Sequence, residues 1–343
     1  MSKPSFQEQL AIKPLVLDGA LGTQLEQKFK DQLIDEDLNI QHHPLWSALI
    51  LLKKPQLIQE IHYDYLNSGA DIITTATYQA STLGLQKHAS LSTEEIRKCY
   101  EKAVDVGESA QKTFATQNVA PRPTYICGSV GPYGGFLANG AEYTGEYNLG
   151  DSPIDDLKEF HRGIVEYFLN DPRVDLLAFE TIPNFNEAIA ILKLMTDLFS
   201  SGYKPKPFYL SFNFKDKEHI CDGTTVVQVV DSIQSYLDDH KIIKDNLVAY
   251  GANCIQFDQS RDIIASINNC NTSYPLVVYP NAGLEYDLKT SSYVTTGVQR
   301  DAWKANCTQW IKTNNVKIMG GCCGTGPSEI TAIRECIDSI YSN

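Results

Sequence analysis

The sequence predicts a single (β/α)8 barrel spanning residues 1–343, with elongated loops after strands one, three and seven, and three observations predict it. Eight short runs of apolar and β-branched residues recur along the chain, each nearly continuously apolar, as parallel strands buried on both faces are. An amphipathic stretch of helical character follows each run. No composition break or Pro/Ser linker divides the 343 residues, a length that suits one large barrel or two domains. An open doubly wound sheet is the alternative; the count of eight favours the closed barrel.

The first run, PLVLDGALGT (14–23), leads through a long connection, 24–54, to PQLIQEIHYDYLNSG (55–69). That stretch opens with proline and closes with glycine, the order a helix prefers. The second run, ADIITTATYQAS (70–81), precedes STEEIRKCYEKAVDVGESAQK (92–112), where Ser92 and Glu95 have the spacing of a capping box. TYICGSVGPYG (124–134) is followed by a second long connection, 135–154, and a helix over 155–170. VDLLAFETIPN (174–184), PFYLSFNF (207–214) and NLVAYGANCI (246–255) pair with helices over 184–200, 224–239 and 258–269. PLVVYPNAG (275–283) has the third long connection, 284–300, then a helix over 301–314. VKIMGGCCGT (316–325) and a helix over 327–341 complete the count. All three long connections follow the C-terminal end of a strand, where barrel enzymes build their sites.

A formal charge of −13, from 29 basic and 42 acidic residues, argues against nucleic acid or an anionic membrane as partner. No apolar stretch reaches about 18 residues, and the N-terminus carries no secretory pattern. Nine cysteines, an odd number, suggest free thiols in a reducing compartment, and the expectation is a cytoplasmic protein.

The stretch IMGGCCGTGP (318–327) places Cys322 and Cys323 side by side among glycines. Neighbouring cysteines can form only a strained ring disulfide, whereas a sharply bent, glycine-flanked backbone lets two thiolates converge on one metal. Zinc takes four ligands, and a catalytic zinc keeps one place open, so a third protein ligand is required. Cys254, at the end of the sixth run, is the candidate; Cys99, Cys270, Cys307 and Cys336 fall in helices or at their ends, Cys127 lies early in its strand, and Cys221 lies in a polar loop. Two alternatives stay open at this point: Cys254 as a small buried hydrophobe, and Cys322–Cys323 as a redox dithiol.

The blocks LDGALGTQLE, PLWSA, ADIITTATYQAS, GSVGPYG, FETIPN, GANC, YPNAG and GGCCGT, in that order, resemble the zinc-dependent homocysteine S-methyltransferases over nearly the whole chain. The resemblance implies a single barrel in which Cys254, Cys322 and Cys323 bind Zn2+ and act in catalysis. It implies methyl transfer from a sulfonium donor to zinc-bound homocysteine thiolate, forming methionine. YPNAGLEYD (279–287) and the acidic-aromatic loop GAEYTGEY resemble the branch that uses S-methylmethionine or S-adenosylmethionine, and the D-x-H-x-x-G cobalamin signature is absent. A zinc- or thiol-binding barrel without turnover is the other reading. Oligomeric state is not legible.

Asp18 and Glu180 each follow an apolar run, so each carboxylate sits at a barrel mouth where it must be hydrogen-bonded or paired, either to an amino-acid substrate or, as the alternative, with Asp18 capping the loop and Glu180 in a structural ion pair. The resemblance assigns them to the polar end of homocysteine, with the backbone of Gly19 and Ala20 for its carboxylate. Asn213, Asn253 and Asn281 repeat an asparagine at three successive strand ends, where they orient ligands or satisfy loop backbone; Asn253 and Asn281 are taken as substrate-binding. Tyr78, Tyr133, Tyr143 and Tyr147 are candidates to face the onium donor, or are ordinary loop packing. His42 and His43 are read as loop residues. No G-x-G-x-x-G or P-loop pattern occurs.

Overall fold

A computed structural model describes residues 3–33, 43–270, 274–287, 292–295 and 297–341. Its eight parallel strands are β1 (Leu15–Val16), β2 (Ile72–Thr74), β3 (Tyr125–Val130), β4 (Leu176–Ile182), β5 (Phe208–Phe212), β6 (Leu247–Asn253), β7 (Leu276–Tyr279) and β8 (Val316–Met319). They pair in the order β1-β8-β7-β6-β5-β4-β3-β2. The ring closes where Leu17 bridges Ile72 in parallel, with Asp71 N–H on Val16 O at 2.7 Å and Asp18 N–H on Ile72 O at 3.0 Å. Below this seam the buried Asp71 carboxylate accepts from Val16 N–H and is clasped by Arg122 and Arg334. This is the predicted (β/α)8 barrel.

Helices α1 (Pro55–Asn67), α2 (Thr93–Gln117), α3 (Pro153–Asn170), α4 (Phe185–Ser200), α5 (Val226–Asp239), α6 (Ser260–Asn268), α7 (Arg300–Thr313) and α8 (Pro327–Tyr341) follow the strands in turn. The Ser92–Glu95 capping box forms at the start of α2. Strand side chains alternate between two cores, as the period of two demands. Leu15, Leu17, Tyr125, Cys127, Leu176, Ala178, Tyr209, Val277 and Ile318 fill the barrel interior, whereas Val16, Ile126, Leu177, Phe179, Phe208 and Leu210 pack outward beneath the helices.

The structure adds elements that the periodicity did not signal. A helix over Phe6–Ile12, started by a Ser5–Glu8 capping box, puts Phe6 and Leu10 into the interior cluster and closes the N-terminal end of the barrel. The ring of Phe6 meets Tyr125 edge to face at 5.3 Å. The long connection after β1 holds helices Leu21–Lys28 and Ser47–Lys53; its residues 34–42, which include His42, lie outside the described residues. His43 Nδ1 accepts from Leu45 N–H at 3.1 Å. The connection after β7 carries an antiparallel pair, Leu284–Asp287 with Ser292–Thr295, and residues 288–291 and 296 of it lie outside the described set. No described helix is long and apolar enough to cross a membrane.

Candidate metal centre and substrate site

Cys254 and the Cys322–Cys323 pair meet at the C-terminal mouth. One sulfur from each of the three lies within 4.8 Å of the other two, and Cys254 Sγ is 3.9 Å from Cys323 Sγ. The backbone makes this possible by leaving the regular strand path. Cys254 takes a left-handed φ of +55° immediately after β6, and Gly324 takes +80° just past the pair. Cys322 N–H donates to Pro280 O at 2.8 Å and Ala282 N–H to Cys323 O at 2.9 Å, so the pair is stitched to the loop after β7. Thr325 fastens the turn from the other side, its N–H and Oγ1 both donating to Cys322 O.

The donor set suits a soft divalent ion. Three thiolates around one tetrahedral zinc at about 2.3 Å would stand about 3.8 Å apart, close to the observed Cys254–Cys323 separation. The three thiols are electrostatically unequal. Hydrogen bonds from Cys254 and Cys322 hold Cys323 well below the ordinary thiol range, while hydrogen bonding to Cys254 and Cys323, then burial, pushes Cys322 up. All nine cysteines are free.

Asp18 is 4% exposed, just past β1. Thr74 N–H donates to its Oδ2 at 2.8 Å, and Thr74 Oγ1 lies 3.1 Å from both oxygens. Glu180, on the inner face of β4, accepts from Ser129 Oγ and from Tyr279 OH, the latter at 3.1 Å. Burial pushes Asp18 up to about 8, with Glu180 adding to the shift, and burial likewise raises Glu180. Neither carboxylate forms an ion pair among the described residues. A buried Asp18 and a partly buried Glu180 thus face one barrel mouth with no counter-ion among the described residues, an arrangement that favours a cationic group.

Beside Asp18, the helix Leu21–Lys28 begins without a side-chain cap, its N-cap being Ala20. Ala20 N–H already donates to Thr325 Oγ1 at 3.1 Å. Gly19 allows the close approach here: a Cβ would fall 2.8 Å from Tyr65 OH and 2.9 Å from Thr325 Oγ1. The three asparagines divide. Asn253 Oδ1 accepts from Thr181 N–H and Ser211 Oγ, and its Nδ2 donates to Thr181 Oγ1, so its amide binds β4 and β5 at a point where Thr181 has φ +60°. Asn213 Nδ2 donates to Glu142 O at 3.0 Å. Asn281 is buried beside the cysteine turn, and its Oδ1 has no partner among the described residues.

The homocysteine S-methyltransferase profile matches residues 15–337. The chain belongs to that family. It is 34% identical over 320 residues to homocysteine S-methyltransferase of Escherichia coli K12, covering 93% of this chain and 94% of that one. With homocysteine S-methyltransferase YbgG of Bacillus subtilis the identity is 35% over 322 residues, 93% of each chain. The crystal structure of the homocysteine methyltransferase MmuM from Escherichia coli in its metallated form superposes with a TM-score of 0.73 and 32% identity over 94% of this chain and 96% of that one. Its oxidized form gives 0.76 and 31% over 94% and 95%.

In this member of the family, the loop after β3 forms one wall of the mouth and is tied down by a residue that sequence reasoning missed. Glu187, fully buried in the first turn of α4, accepts from Tyr133 N–H and Tyr147 OH, each at 2.6 Å, and lies 2.8 Å from His161 Nε2. Asn184 Nδ2 donates to Gly145 O at 2.9 Å. Tyr133 and Tyr147 therefore belong to packing, edge to face at 5.3 Å and with Tyr133 also against Phe160. Tyr143 differs: it is 55% exposed, and its OH stands 4.0 Å from Cys254 Sγ. Tyr78 is half-buried, and burial, with smaller additions from Glu142 and Cys254, raises its hydroxyl well above the ordinary tyrosine value.

Proposed function

We propose that this protein transfers a methyl group from a sulfonium donor, S-methylmethionine or S-adenosylmethionine, to homocysteine, forming methionine. One observation supports the reading above all: three convergent cysteine sulfurs share a barrel mouth with the buried Asp18 and the partly buried Glu180, neither of which has a cationic partner among the described residues. Family membership supports the same reaction. The residues that would hold the metal are Cys254, Cys322 and Cys323, and Zn2+ suits their sulfurs. Zinc bound there keeps an incoming thiol in its ionised, nucleophilic form at neutral pH, where a free thiol with a pKa of about 8.5 is mostly protonated.

The chain's own groups then position the substrate. Asp18 and Glu180 receive the ammonium of homocysteine, which neutralises the two acids that burial leaves uncompensated. Its carboxylate meets Gly19 N–H and the open N-terminal end of Leu21–Lys28, where orphan amide donors and the helix dipole favour an anion. Asn281 Oδ1 offers an acceptor to a substrate N–H. Held in this way, the homocysteine sulfur attacks the donor methyl carbon, and the carbon–sulfur bond of the donor breaks with its electron pair returning to the donor sulfur. Opposite charges cancel as the methyl moves, so a water-poor mouth favours the step. In-line alignment is the task of the loop walls.

The test is direct. Zinc-loaded protein given homocysteine and S-methylmethionine yields two methionines per turnover, and Cys254→Ser loses both bound zinc and turnover. Stoichiometric zinc with no methyl transfer from either sulfonium donor overturns the reading.

A further inference from the structure

Glu142 is a carboxylate that the account above leaves unused. It sits in the single turn Ala141–Tyr143, half-buried, and its Oε2 is shielded from solvent with no hydrogen-bond partner among the described residues. No lysine or arginine pairs with it among the described residues. Burial raises its carboxyl above its ordinary value.

The turn that carries it is preset. Its backbone carbonyl is held by Asn213 Nδ2 at the end of β5, and the loop on either side is pinned to α4 through Glu187 and Asn184. Gly134 lets the turn close up, since a Cβ there would come within 2.5 Å of Glu142 N. Two aromatic side chains lie close to this turn. Tyr143, the next residue in the turn, brings its OH to 4.0 Å from Cys254 Sγ, and the ring of the half-buried Tyr78 lies against the start of the same loop, where a Cβ on Gly135 would stand 3.5 Å from Tyr78 Cε1. A carboxylate and aromatic rings near the cysteines form the kind of environment that an onium ion prefers.

We propose that Glu142, with the rings of Tyr78 and Tyr143, forms the subsite for the positively charged sulfur of the methyl donor. The inference rests on the methyl-transfer reading and names the residue that recognises the donor. Its kinetic consequence follows from the charge balance. The positive charge that Glu142 binds is present in the bound donor and vanishes as the methyl leaves, so the interaction is stronger in the ground state than in the transition state. Removing it raises donor KM and lowers kcat little.

Steady-state kinetics of Glu142→Gln and Glu142→Asp with S-methylmethionine, together with calorimetric binding of trimethylsulfonium to the zinc-loaded proteins, test this. Glu142→Gln raises donor KM about tenfold or more, the size of a lost charge-assisted contact. Homocysteine KM and bound zinc hold, Glu142→Asp falls between, and trimethylsulfonium binds Glu142→Gln at least tenfold more weakly than wild type. Unchanged donor KM, a matching rise in homocysteine KM, or equal trimethylsulfonium binding by both proteins overturns the subsite. Wild-type protein that binds trimethylsulfonium through Glu142 yet transfers no methyl overturns the reaction and leaves the subsite standing.

Discussion

Asp18 shows how a binding residue can weaken the fold that carries it. Its carboxyl is raised from the usual carboxylate range to about 8 because it is buried, with Thr74 bonding it and Glu180 nearby. Between an unfolded value near 3.8 and the folded value, the native state holds a proton that the unfolded chain has released. Stability contributed by this group therefore falls as pH rises through that window. Asp18→Asn keeps an acceptor for Thr74 N–H and removes the ionisable group. The expected outcome is a ligand-free protein more stable by on the order of 3 kcal/mol at pH 8, with the gain fading toward pH 4. Homocysteine KM rises about tenfold to a hundredfold in the same variant. Thermal melts across pH and initial-rate kinetics check both. Asp18, Glu180 and the three cysteines were legible because each terminates an apolar run, and a polar group at that point has to face the mouth. Asn253 shares the same position, yet its amide is taken up by Thr181 and Ser211, neighbours on other strands that one chain's order does not reveal. Glu142 and Glu187 were hidden for a related reason: their roles depend on how a loop folds back over α4.

At the scale of elements, hydrophobic period located eight strands and eight helices because both faces of every strand are covered. The strands are shorter than their apolar runs. PLVLDGALGT contributes only Leu15–Val16 to β1, and the rest turns out of the sheet to place Asp18 and to start the helix Leu21–Lys28. The helix Phe6–Ile12 escaped notice since seven residues with two buried apolar positions carry little periodic signal. Its contribution is the seal on the barrel floor, where Phe6 lies against Tyr125. Phe6→Ala opens a cavity beneath Tyr125 and is expected to cost about 3–5 kcal/mol. Chemical denaturation measures that loss. Bound zinc and substrate KM stay as they are, because the site lies at the opposite end of the barrel.

The whole molecule brings together residues that the chain keeps far apart. Asp18 follows β1, Glu180 lies on β4, Cys254 follows β6, and Cys322 and Cys323 follow β8, yet parallel strands deliver all of them to one rim. Closure between β1 and β2, secured by Asp71 and the Leu17–Ile72 bridge, keeps Asp18 in the ring beside the cysteine turn, whose Gly321 N–H it receives at 3.1 Å. Cys254, Cys322 and Cys323 would hold a zinc ion at that rim, and the proposed reaction requires that the substrate thiol join them there. Zinc K-edge X-ray absorption on the purified protein, recorded before and after homocysteine is added, measures this directly. The expected result is three sulfur neighbours at about 2.3 Å together with one lighter atom, becoming four sulfurs with homocysteine. A protein that retains no zinc, or a zinc shell that homocysteine leaves unchanged, contradicts the account.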